Sequence, residues 1–372
     1  MKILHILNEL KHSGAEVMLS NAAKTFFEND INSHILSTGT EVGQFADILH
    51  KKGYAIHHIP FKKSPLYFWK LYRFLKKEKY EVVHIHPERG FFWHALIAKF
   101  AGVNKIFRTY HSVFLLSGIL RIRKKFERWL AVHLLGVKNI SIGPSVQQVE
   151  SSVYNNKSYL IPNWTDHQKF YPATENERKE LRSKNGLFDS DIVLVSVGSC
   201  SPVKNHSAII NSLVKVVLKV PNIVYLHVGE GELLQSELKL ANQKGVSNFT
   251  RFLGNTNQVR EILVCSDIFI MPSLYEGFSI SAMEASFCGL PIIAYDVYGL
   301  RDIVINEVNG FLIEPNSENL SDAIIELSVN TDLRTRMGKE ARNFIFNLYN
   351  KYDSLSKLMS FYGVTNIFQI HS

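Results

Sequence analysis

The most regular feature of this chain is the alternation of short apolar runs with longer segments of helical periodicity. In the first half, the apolar runs at 2–7, 33–37, 55–59, 82–85, 105–109 and 139–142 are predicted strands. Segments of helical length, such as 15–28 and 91–100, lie between several of them. Apolar runs of this kind, alternating with helices, are typical of parallel strands covered on both faces.

The second half repeats the pattern. Predicted strands fall at 192–197, 223–228, 250–253, 268–271, 291–295 and 310–313. Two such series predict an α/β protein with two doubly wound, Rossmann-like domains, 1–165 and 166–350. We expect 351–372 to be a helical tail that crosses back to the amino-terminal domain. Because ligands of open α/β sheets bind beyond the carboxyl ends of the strands, the expected site is a cleft between two facing sheets.

Length and composition agree with a globular protein of two cores. The chain has 372 residues, of which 46% are hydrophobic and 20% charged, and no apolar run is long enough to cross a bilayer. The apolar start at 1–7 is soon interrupted by Asn8 and Glu9, which favours a first strand over a signal peptide. Cys200, Cys265 and Cys288 form no C-x-x-C pattern, so we expect reduced, buried thiols in a cytosolic protein.

The net charge of +8 is concentrated in two segments, 61–79 and 121–129, where lysine and arginine alternate with aromatic residues. Such segments suit an anionic membrane surface, and they also suit nucleic acid. For either segment alone, an amphipathic helix packed on its own domain, with its lysines in water, is the better explanation. Two such segments in one half make membrane contact an equally good explanation, and no nucleic-acid-binding motif accompanies them.

Two glutamates, Glu276 and Glu284, stand eight positions apart around a predicted helix start. A strand at 266–271 runs into a loop that carries Glu276, and a helix is predicted over 279–288. A capping box at Ser281 and Glu284 predicts its beginning, and Gly289 predicts its end. The free amides of a helix start suit a phosphate, and carboxylates bind hydroxyl groups, which together describe a nucleotide sugar. Alternatively, both glutamates cap the helix or lie in water.

Three further loops follow predicted strands. Gly14 opens the first helix, where a glycine lets backbone approach a ligand closely. Lys204 precedes a helix, where its charge could meet a diphosphate or simply lie on the surface. Gly229 and Gly231 form a G-x-G turn, which a nucleotide base or ribose could approach. None of these loops completes a dinucleotide or Walker A motif.

Histidines are a second candidate group. His84 and His86 lie two apart in a strand and therefore share a face. A metal would need a third ligand, and none occurs at a familiar spacing, so no metal is predicted. His111 follows another strand and is expected at its carboxyl end, facing the cleft, unless it is a structural histidine.

These motifs resemble those of the retaining GT-B glycosyltransferases of the family 4 group, especially bacterial exopolysaccharide and capsule enzymes. The resemblance covers nearly the whole chain. Its specific part is an E-x7-E signature in context: Phe252-Leu253-Gly254, the run from Asp267 to Phe278, Glu284-Ala285 and Gly289-Leu290-Pro291.

The resemblance implies a role for each matching position. Glu284 would bind the nucleotide ribose, and Glu276 would face the donor sugar. Lys204 would neutralise the leaving diphosphate, and His111 would lie near the acceptor side of the sugar. The other donor-binding positions would be backbone or flanking groups: Gly14, Ser199, Gly229, Arg251, Phe252, Gly277, Phe278, Ser279 and Ile280.

Three residues depart from the family pattern. Ser199 stands where arginine usually lies beside the diphosphate, so one cation is missing or replaced by a neighbour. Trp164 replaces the glycine of a P-N-G turn, and Ser13 replaces one glycine of the first loop. None of these changes affects Glu276 or Glu284.

The activity implied is transfer of a sugar from a nucleotide-diphosphate sugar to a saccharide acceptor with retention, in surface polysaccharide synthesis. The resemblance further implies a lipid-linked acceptor, no metal or other cofactor, and a peripheral position on the cytoplasmic face of the membrane. Two alternatives keep the fold: a non-hydrolysing nucleotide-sugar epimerase, against which the E-x7-E context argues, and a catalytically silent GT-B binding protein, which Ser199 favours.

Overall fold

The chain folds as two compact units. The computed structural model describes residues 1–364. The amino-terminal unit comprises Met1–Thr165 and the segment that starts at Lys351, and the carboxyl-terminal unit comprises Asp166–Asn350. The part of the predicted helical tail at 365–372 lies outside the described residues.

The amino-terminal unit is built on a seven-stranded parallel sheet with the order β3-β2-β1-β4-β5-β6-β7. Its strands are β1 Lys2–Leu7, β2 Asn32–Ser37, β3 Ala55–His58, β4 Val82–Ile85, β5 Lys105–Tyr110, β6 Lys138–Ser141 and β7 Tyr159–Leu160. Its helices are α1 Gly14–Glu28, α2 Ala46–Lys51, α3 Pro65–Glu78, α4 Phe91–Phe100, α5 Gly118–His133 and α6 Pro144–Tyr154. Helices α3 and α4 contribute to one hydrophobic layer, and α1 contributes to another.

The carboxyl-terminal unit has a six-stranded parallel sheet with the order β10-β9-β8-β11-β12-β13. Its strands are β8 Ile192–Val197, β9 Ile223–Val228, β10 Thr250–Phe252, β11 Ile268–Met271, β12 Ile292–Tyr295 and β13 Gly310–Ile313. Its helices are α7 Glu175–Lys184, α8 His206–Lys219, α9 Leu234–Gln243, α10 Val259–Cys265, α11 Ile280–Phe287, α12 Ser317–Val329 and α13 Thr331–Leu348, with a short 3₁₀ turn at Ser247–Phe249.

Both sheets reverse their strand order beside the first strand of the unit. The reversal lies between β1 and β4 in one sheet and between β8 and β11 in the other. Loops that leave the carboxyl ends of strands on either side of such a point diverge and open a ligand site. In the carboxyl-terminal unit, these are the loops that carry Lys204 and Glu276.

The last helix, α14 (Lys351–Tyr362), belongs to the core of the amino-terminal unit. Leu355, Met359 and Tyr362 are buried in the same cluster as side chains of α1. The Tyr362 hydroxyl lies 2.5 Å from His84 Nδ1, and Lys105 Nζ donates to the Tyr362 carbonyl at 2.7 Å. The helix therefore supplies both apolar and polar contacts to that unit.

The predicted strands differ from the observed ones by one residue at most, apart from the two-residue β7, which was not predicted. The polar stretch at 174–184, for which no element was predicted, is mostly helix α7. Thr174 caps this helix by accepting a hydrogen bond from Glu177 N at 3.2 Å. Buried Arg182 anchors it by donating to the Cys265 carbonyl at 3.0 Å.

Trp164, the departure from the P-N-G turn, is a core residue. Its side chain is buried in the cluster that contains α1, and its indole N–H donates to the Met18 carbonyl at 3.1 Å. The replacement of glycine thus fills a packed position in the amino-terminal unit. Within residues 1–364, no helix combines the length and apolar character needed to cross a membrane.

Candidate functional site

Lys204 and Glu276 form an ion pair at the point where the strand order of the carboxyl-terminal sheet reverses. Lys204 Nζ lies 2.5 Å from Glu276 Oε1, and both side chains are partly buried. The loops that carry them are joined by main-chain contact, because Leu274 N donates to the Val203 carbonyl at 2.8 Å. Two predicted site residues 72 positions apart are therefore brought together by the neighbouring strands β8 and β11.

The start of α11 lies directly after Glu276. Ser279 is its N-cap, and the Ser279 hydroxyl accepts a hydrogen bond from Ala282 N at 3.3 Å. The predicted capping box at Ser281 is wrong, because Ser281 already lies inside the helix. The amides of Ile280 and Ser281 belong to the first turn, where no intrahelical carbonyl is in reach. They provide a positive helix end beside the Lys204–Glu276 pair.

The two glutamates flank this helix start as predicted from the sequence. Glu276 precedes the helix, and Glu284 lies buried in its second turn. The Phe278 ring packs on Tyr349, with their centroids 4.9 Å apart, so the side chain serves the core of the unit. At this position only the backbone remains for a ligand.

Gly299 supports the loop and was not singled out from the sequence. It lies after β12 with φ +79°, and a Cβ there would come within 2.7 Å of the carbonyl oxygens of Glu276 and Gly277. Only glycine allows the two loops to approach so closely. Its one sequence signal is its place at the carboxyl end of a predicted strand, next to β11 in the sheet.

The other glycine loops pack against each other. Gly229 has φ +140°, and a Cβ there would lie 1.9 Å from the Gly198 carbonyl oxygen. The side of Gly229 that lacks a side chain is thus filled by the protein itself, and the glycine is explained by packing without a ligand. Ser199 is exposed, and its hydroxyl donates to Ser201 Oγ at 3.2 Å.

Arg251 and Phe252 are placed apart from the Lys204–Glu276 pair. The Arg251 guanidinium donates to the carbonyls of Asn185 and Gly186, at 2.9 and 3.2 Å. These carbonyls belong to the connection that leads into the amino end of β8. The guanidinium therefore makes contacts within the fold, and its predicted role in donor binding stays a prediction. The Phe252 ring packs on His227, with centroids 5.4 Å apart.

In the amino-terminal unit, Gly14 is the exposed first residue of α1. The carboxyl group of Glu16 lies at this helix start and accepts a hydrogen bond from the Ser13 hydroxyl. Burial raises the pKa of Glu16 above its ordinary value. The Ser13 substitution thus gives the first loop a hydrogen bond that a glycine could not make.

His111 ends a chain of three hydrogen-bonded imidazoles. His111 Nε2 lies 2.8 Å from His86 Nδ1, and His86 Nε2 lies 3.1 Å from His5 Nδ1. Burial, with a smaller effect of Arg108, lowers the pKa of His111 to about 4. His111 is therefore neutral at neutral pH, and its tautomer is coupled to that of His86.

The expectation that His84 and His86 lack a third metal ligand was wrong. His5, on the adjacent strand β1, brings a third imidazole within reach. However, both nitrogens of His84 already have hydrogen-bond partners, the Tyr362 hydroxyl at 2.5 Å and the Thr109 hydroxyl at 2.7 Å. This group is therefore better described as a hydrogen-bonded network than as a metal centre.

The two basic segments of the amino-terminal unit meet at one cavity of about 310 Å³. Lys63 comes from the first segment, and Arg123 and Lys124 come from the second, on α5. The aromatic part of the lining consists of Phe61, Phe91, Phe92 and Trp93. Glu127 also lines the cavity and pairs with Arg123 and Lys124, at 3.5 and 3.0 Å, so these two charges are partly neutralised. Basic side chains beside aromatic faces suit a ligand with a phosphate and a sugar ring.

Helix α5 also presents an apolar stripe to solvent. Ile119, Ile122, Phe126 and Trp129 are 82, 67, 56 and 51% exposed, respectively. Their spacing of three and four residues places them on one face. Exposed apolar residues of this number on a basic helix are typical of a membrane or partner surface.

Each unit has a doubly wound parallel sheet, and one switch point carries an acidic loop beside a helix start, as expected for the class of two-domain sugar transferases. The family model "Glycosyl transferases group 1" matches residues 177–344, and "Glycosyltransferase Family 4" matches residues 12–169. The chain is 31% identical over 303 residues to UDP-Gal:alpha-D-GlcNAc-diphosphoundecaprenol alpha-1,3-galactosyltransferase of Escherichia coli, covering 78% of this chain and 77% of that protein. The chain therefore belongs to the family 4 group of GT-B glycosyltransferases.

Solved structures agree with this fold. HepE of Anabaena, crystallised with UDP, superposes with a TM-score of 0.81 at 18% identity, over 97% of this chain and 99% of that chain. A glycosyltransferase from Rickettsia africae ESF-5 superposes with a TM-score of 0.81 at 21% identity, over 100% of this chain and 99% of that chain. At these identities the similarity shows the fold alone.

Proposed function

We propose that this glycosyltransferase moves a sugar from a nucleotide-diphosphate sugar to a saccharide acceptor, with retention, in the synthesis of a surface polysaccharide. The observation that carries the proposal is the contact between Lys204 and Glu276 beside the start of α11. It combines a cation and free amides, which suit a diphosphate, with a carboxylate, which suits sugar hydroxyls.

The mechanism follows from the charges that develop as the sugar–phosphate bond breaks. Negative charge grows on the diphosphate, and Lys204 with the first-turn amides of α11 stabilises it. When the diphosphate takes over Lys204, Glu276 is released to bind the donor sugar. Glu284 binds the ribose. In this proposal Lys204 and the amides replace a metal ion at the diphosphate, and no organic cofactor takes part.

Retention is proposed to follow from attack on the same face of the sugar that the phosphate leaves. The departing phosphate then takes the proton of the acceptor hydroxyl, so that no catalytic base is needed on the opposite face. This differs from retaining hydrolases, in which a carboxylate forms a covalent intermediate. His111 is proposed to act on the acceptor side, as a neutral imidazole.

The acceptor is proposed to be lipid-linked. The Escherichia coli relative acts, by its name, on a sugar joined to diphosphoundecaprenol. The basic, aromatic cavity of the amino-terminal unit suits the phosphate and sugar of such a molecule. The exposed stripe of α5 would hold that unit on the cytoplasmic leaflet, where anionic lipids attract its lysines and arginines.

Sugar transfer by Glu276→Gln and Glu284→Gln variants tests the site. We expect each to lower kcat/KM by about a hundredfold or more, because each removes a charged contact to the donor. Glu314→Gln, at an exposed position after β13, is the matched control and should keep full activity. Product is measured by mass spectrometry with a UDP- or GDP-sugar. Turnover like that of the wild type in either site variant would contradict the assignment.

A second function, a silent GT-B protein that binds a partner or a membrane, is favoured by Ser199. This position lacks the usual arginine, and the Ser199 hydroxyl contacts only Ser201 among the described residues. Any donor-dependent transfer, or hydrolysis of the donor above background by the wild type, would exclude it.

A further inference from the structure

Four side chains of the kinds that bind zinc converge inside the carboxyl-terminal unit. Cys200 lies in the loop after β8, His206 begins α8, His227 lies on β9, and Glu237 lies on α9. One potential ligand atom from each lies within 4.8 Å of all the others, and all four residues are buried. From the sequence alone, Cys200 is expected to be a reduced, buried thiol, and no spacing indicates that it lies near the other three residues.

Two members of the cluster lack nitrogen or oxygen partners for their polar atoms. Both carboxylate oxygens of Glu237 and His206 Nδ1 are shielded from water without such a partner, so that the Cys200 thiol is the group left to share a proton with the carboxylate. Glu237 Oε1 and His206 Nδ1 lie 3.6 Å apart. Burying a carboxylate away from water without a hydrogen-bond donor destabilises the fold, because its desolvation is not compensated. A cation at the centre of the cluster would remove this cost.

We propose that Cys200, His206, His227 and Glu237 bind one Zn²⁺ ion in a structural site. A thiolate, two imidazole nitrogens and a carboxylate are the ligands that zinc takes in a tetrahedral arrangement. Cys200 Sγ and His227 Nε2 are 3.2 Å apart, a hydrogen-bond distance slightly shorter than the separation of roughly 3.5 Å between a thiolate and an imidazole nitrogen on one tetrahedral zinc ion. Four protein ligands, all buried, make a closed site and leave no position for a substrate.

The imidazole of His227 is held in the orientation that such a site requires. Its Nδ1 lies 2.8 Å from the Ser196 hydroxyl, which in turn lies 2.7 Å from the Tyr225 hydroxyl. This contact occupies Nδ1 and leaves Nε2 to face Cys200. Metal-binding histidines are commonly fixed through their second nitrogen in this way.

The ion would join the loops that follow β8 and β9. Cys200 already contacts the second loop through its backbone, since Cys200 N donates to the Glu230 carbonyl at 3.1 Å and Leu233 N donates to the Cys200 carbonyl at 3.0 Å. Zinc would add a side-chain link at the same point, one residue from Ser199. This inference rests on the buried cluster and does not depend on the proposed sugar transfer.

Metal analysis of the tag-free protein tests the site. We expect about one zinc per chain after dialysis against a metal-free buffer, as for a structural ion. Replacement by Co²⁺ should give a thiolate-to-cobalt charge-transfer band and the strong visible bands of a tetrahedral site. Cys200→Ser should lose the charge-transfer band, whereas Cys288→Ser, which changes a buried thiol outside the cluster, should keep it. Absence of zinc in the wild type, with no cobalt band after reconstitution, would overturn the proposal.

Two isosteric variants guard against a loss that reflects misfolding alone. Ser196→Ala changes none of the four ligands, removes the contacts of the hydroxyl to His227 Nδ1 and to the Tyr225 hydroxyl, and should weaken zinc binding by about 10- to 100-fold without abolishing it. Glu237→Gln keeps the shape of the side chain. If the cluster were a neutral hydrogen-bonded group, Glu237→Gln would be as stable as the wild type, and a chelator would change the Tm of neither protein. We expect instead that a chelator lowers the Tm of the wild type and leaves that of Glu237→Gln unchanged.

Discussion

The two units repeat one sheet topology but bury different polar groups. Each sheet has its first strand third from one edge and reverses its order beside that strand. The amino-terminal unit fills this region with a chain of imidazoles from His5 to His111, whereas the carboxyl-terminal unit places Lys204, Glu276 and the start of α11 there. At this point of the sheet, the same topology therefore surrounds a row of imidazoles in one unit and the charged Lys204–Glu276 pair in the other.

The difference arises from strand register. In the amino-terminal sheet, His5 is paired with His84, so that imidazoles from successive strands stack on one face. In the carboxyl-terminal sheet, β11 is wholly apolar and β8 and β9 carry the polar residues Ser196 and His227, whereas Lys204 and Glu276 come from the loops after β8 and β11. Chemistry that requires charge thus resides in the loops, while the histidine network belongs to the sheet itself.

The largest effect is expected from loss of the charged group at the switch point. Lys204→Ala should lower kcat by about 10²–10³-fold, since one donor to a developing oxyanion contributes roughly 3–4 kcal/mol. Lys215→Ala, which removes an exposed lysine paired with Asp322, should have no such effect. Steady-state kinetics with a nucleotide sugar measures both. Equal kcat in Lys204→Ala and Lys215→Ala would contradict the proposal that Lys204 stabilises the leaving diphosphate in the carboxyl-terminal unit.

Acid should act mainly on the amino-terminal unit. Burial lowers the pKa of His5 and His94 to about 3 and that of His111 to about 4, below the value of roughly 6.5 in the unfolded chain. The unfolded state therefore binds more protons below pH 6.5, and the stability that is complete above that pH is lost as the pH falls. Each such histidine contributes a slope of about 1.4 kcal/mol per pH unit.

Hydrogen exchange between pH 7.5 and 5.5 measures the loss of stability in each unit. His94 offers a specific variant, because both its ring nitrogens are buried without a hydrogen-bond partner and its ring packs on Phe61 and Tyr67. His94→Phe should reduce the pH dependence of the amino-terminal unit by about one proton. Equal acid sensitivity of both units, or an unchanged slope in the variant, would contradict the expectation.

Membrane contact should also distinguish the units. Phe126→Ser with Trp129→Ser should lower binding to vesicles of anionic lipid by at least about tenfold, because each aromatic side chain contributes about 1.5–3 kcal/mol when buried in the interface. Phe188→Ser, at a residue 74% exposed in the carboxyl-terminal unit, is the control. Flotation of the double variant and of Phe188→Ser with liposomes measures the difference in membrane binding. Unchanged binding in the double variant would exclude α5 as the anchor.

The smallest effect is expected at Ser199. Ser199→Arg restores the cation that the family usually has beside the diphosphate, and it should raise kcat/KM by about two- to tenfold, the effect of one charge-assisted hydrogen bond at an exposed position. Ser201→Arg in the same loop is the control for a general gain of positive charge. A lower activity in Ser199→Arg would indicate that serine is required there.

The sequence predicted the sheets closely because their strands are continuous apolar runs. Strands such as β8, β9 and β11 were placed to the residue. The helix after Glu276 was predicted over 279–288 and is observed at Ile280–Phe287. Its capping residue was placed two residues late, at Ser281 in place of Ser279, because both serines satisfy the pattern of a cap and only the fold decides between them.

The parts of the site that lie close together in sequence were also predictable, since Glu276 and Glu284 flank one helix start. The groups that the sequence did not connect come from separate elements. His5 meets His86 through strand pairing, and Gly299 meets Glu276 through neighbouring strands. Cys200 and Glu237 approach each other only after α9 packs beside α8, so no local spacing could indicate their contact.

The most direct test of donor binding by the carboxyl-terminal unit is a thermal-shift screen with UDP, GDP and their sugars. Because a ligand that binds the native state stabilises it by about 2.7 kcal/mol at a hundred times its Kd, at least one donor should raise the Tm of the wild type. We expect this rise in Tm to be lost in Lys204→Ala and kept in Lys215→Ala. An equal shift in both variants, or no shift with any nucleotide, would contradict it.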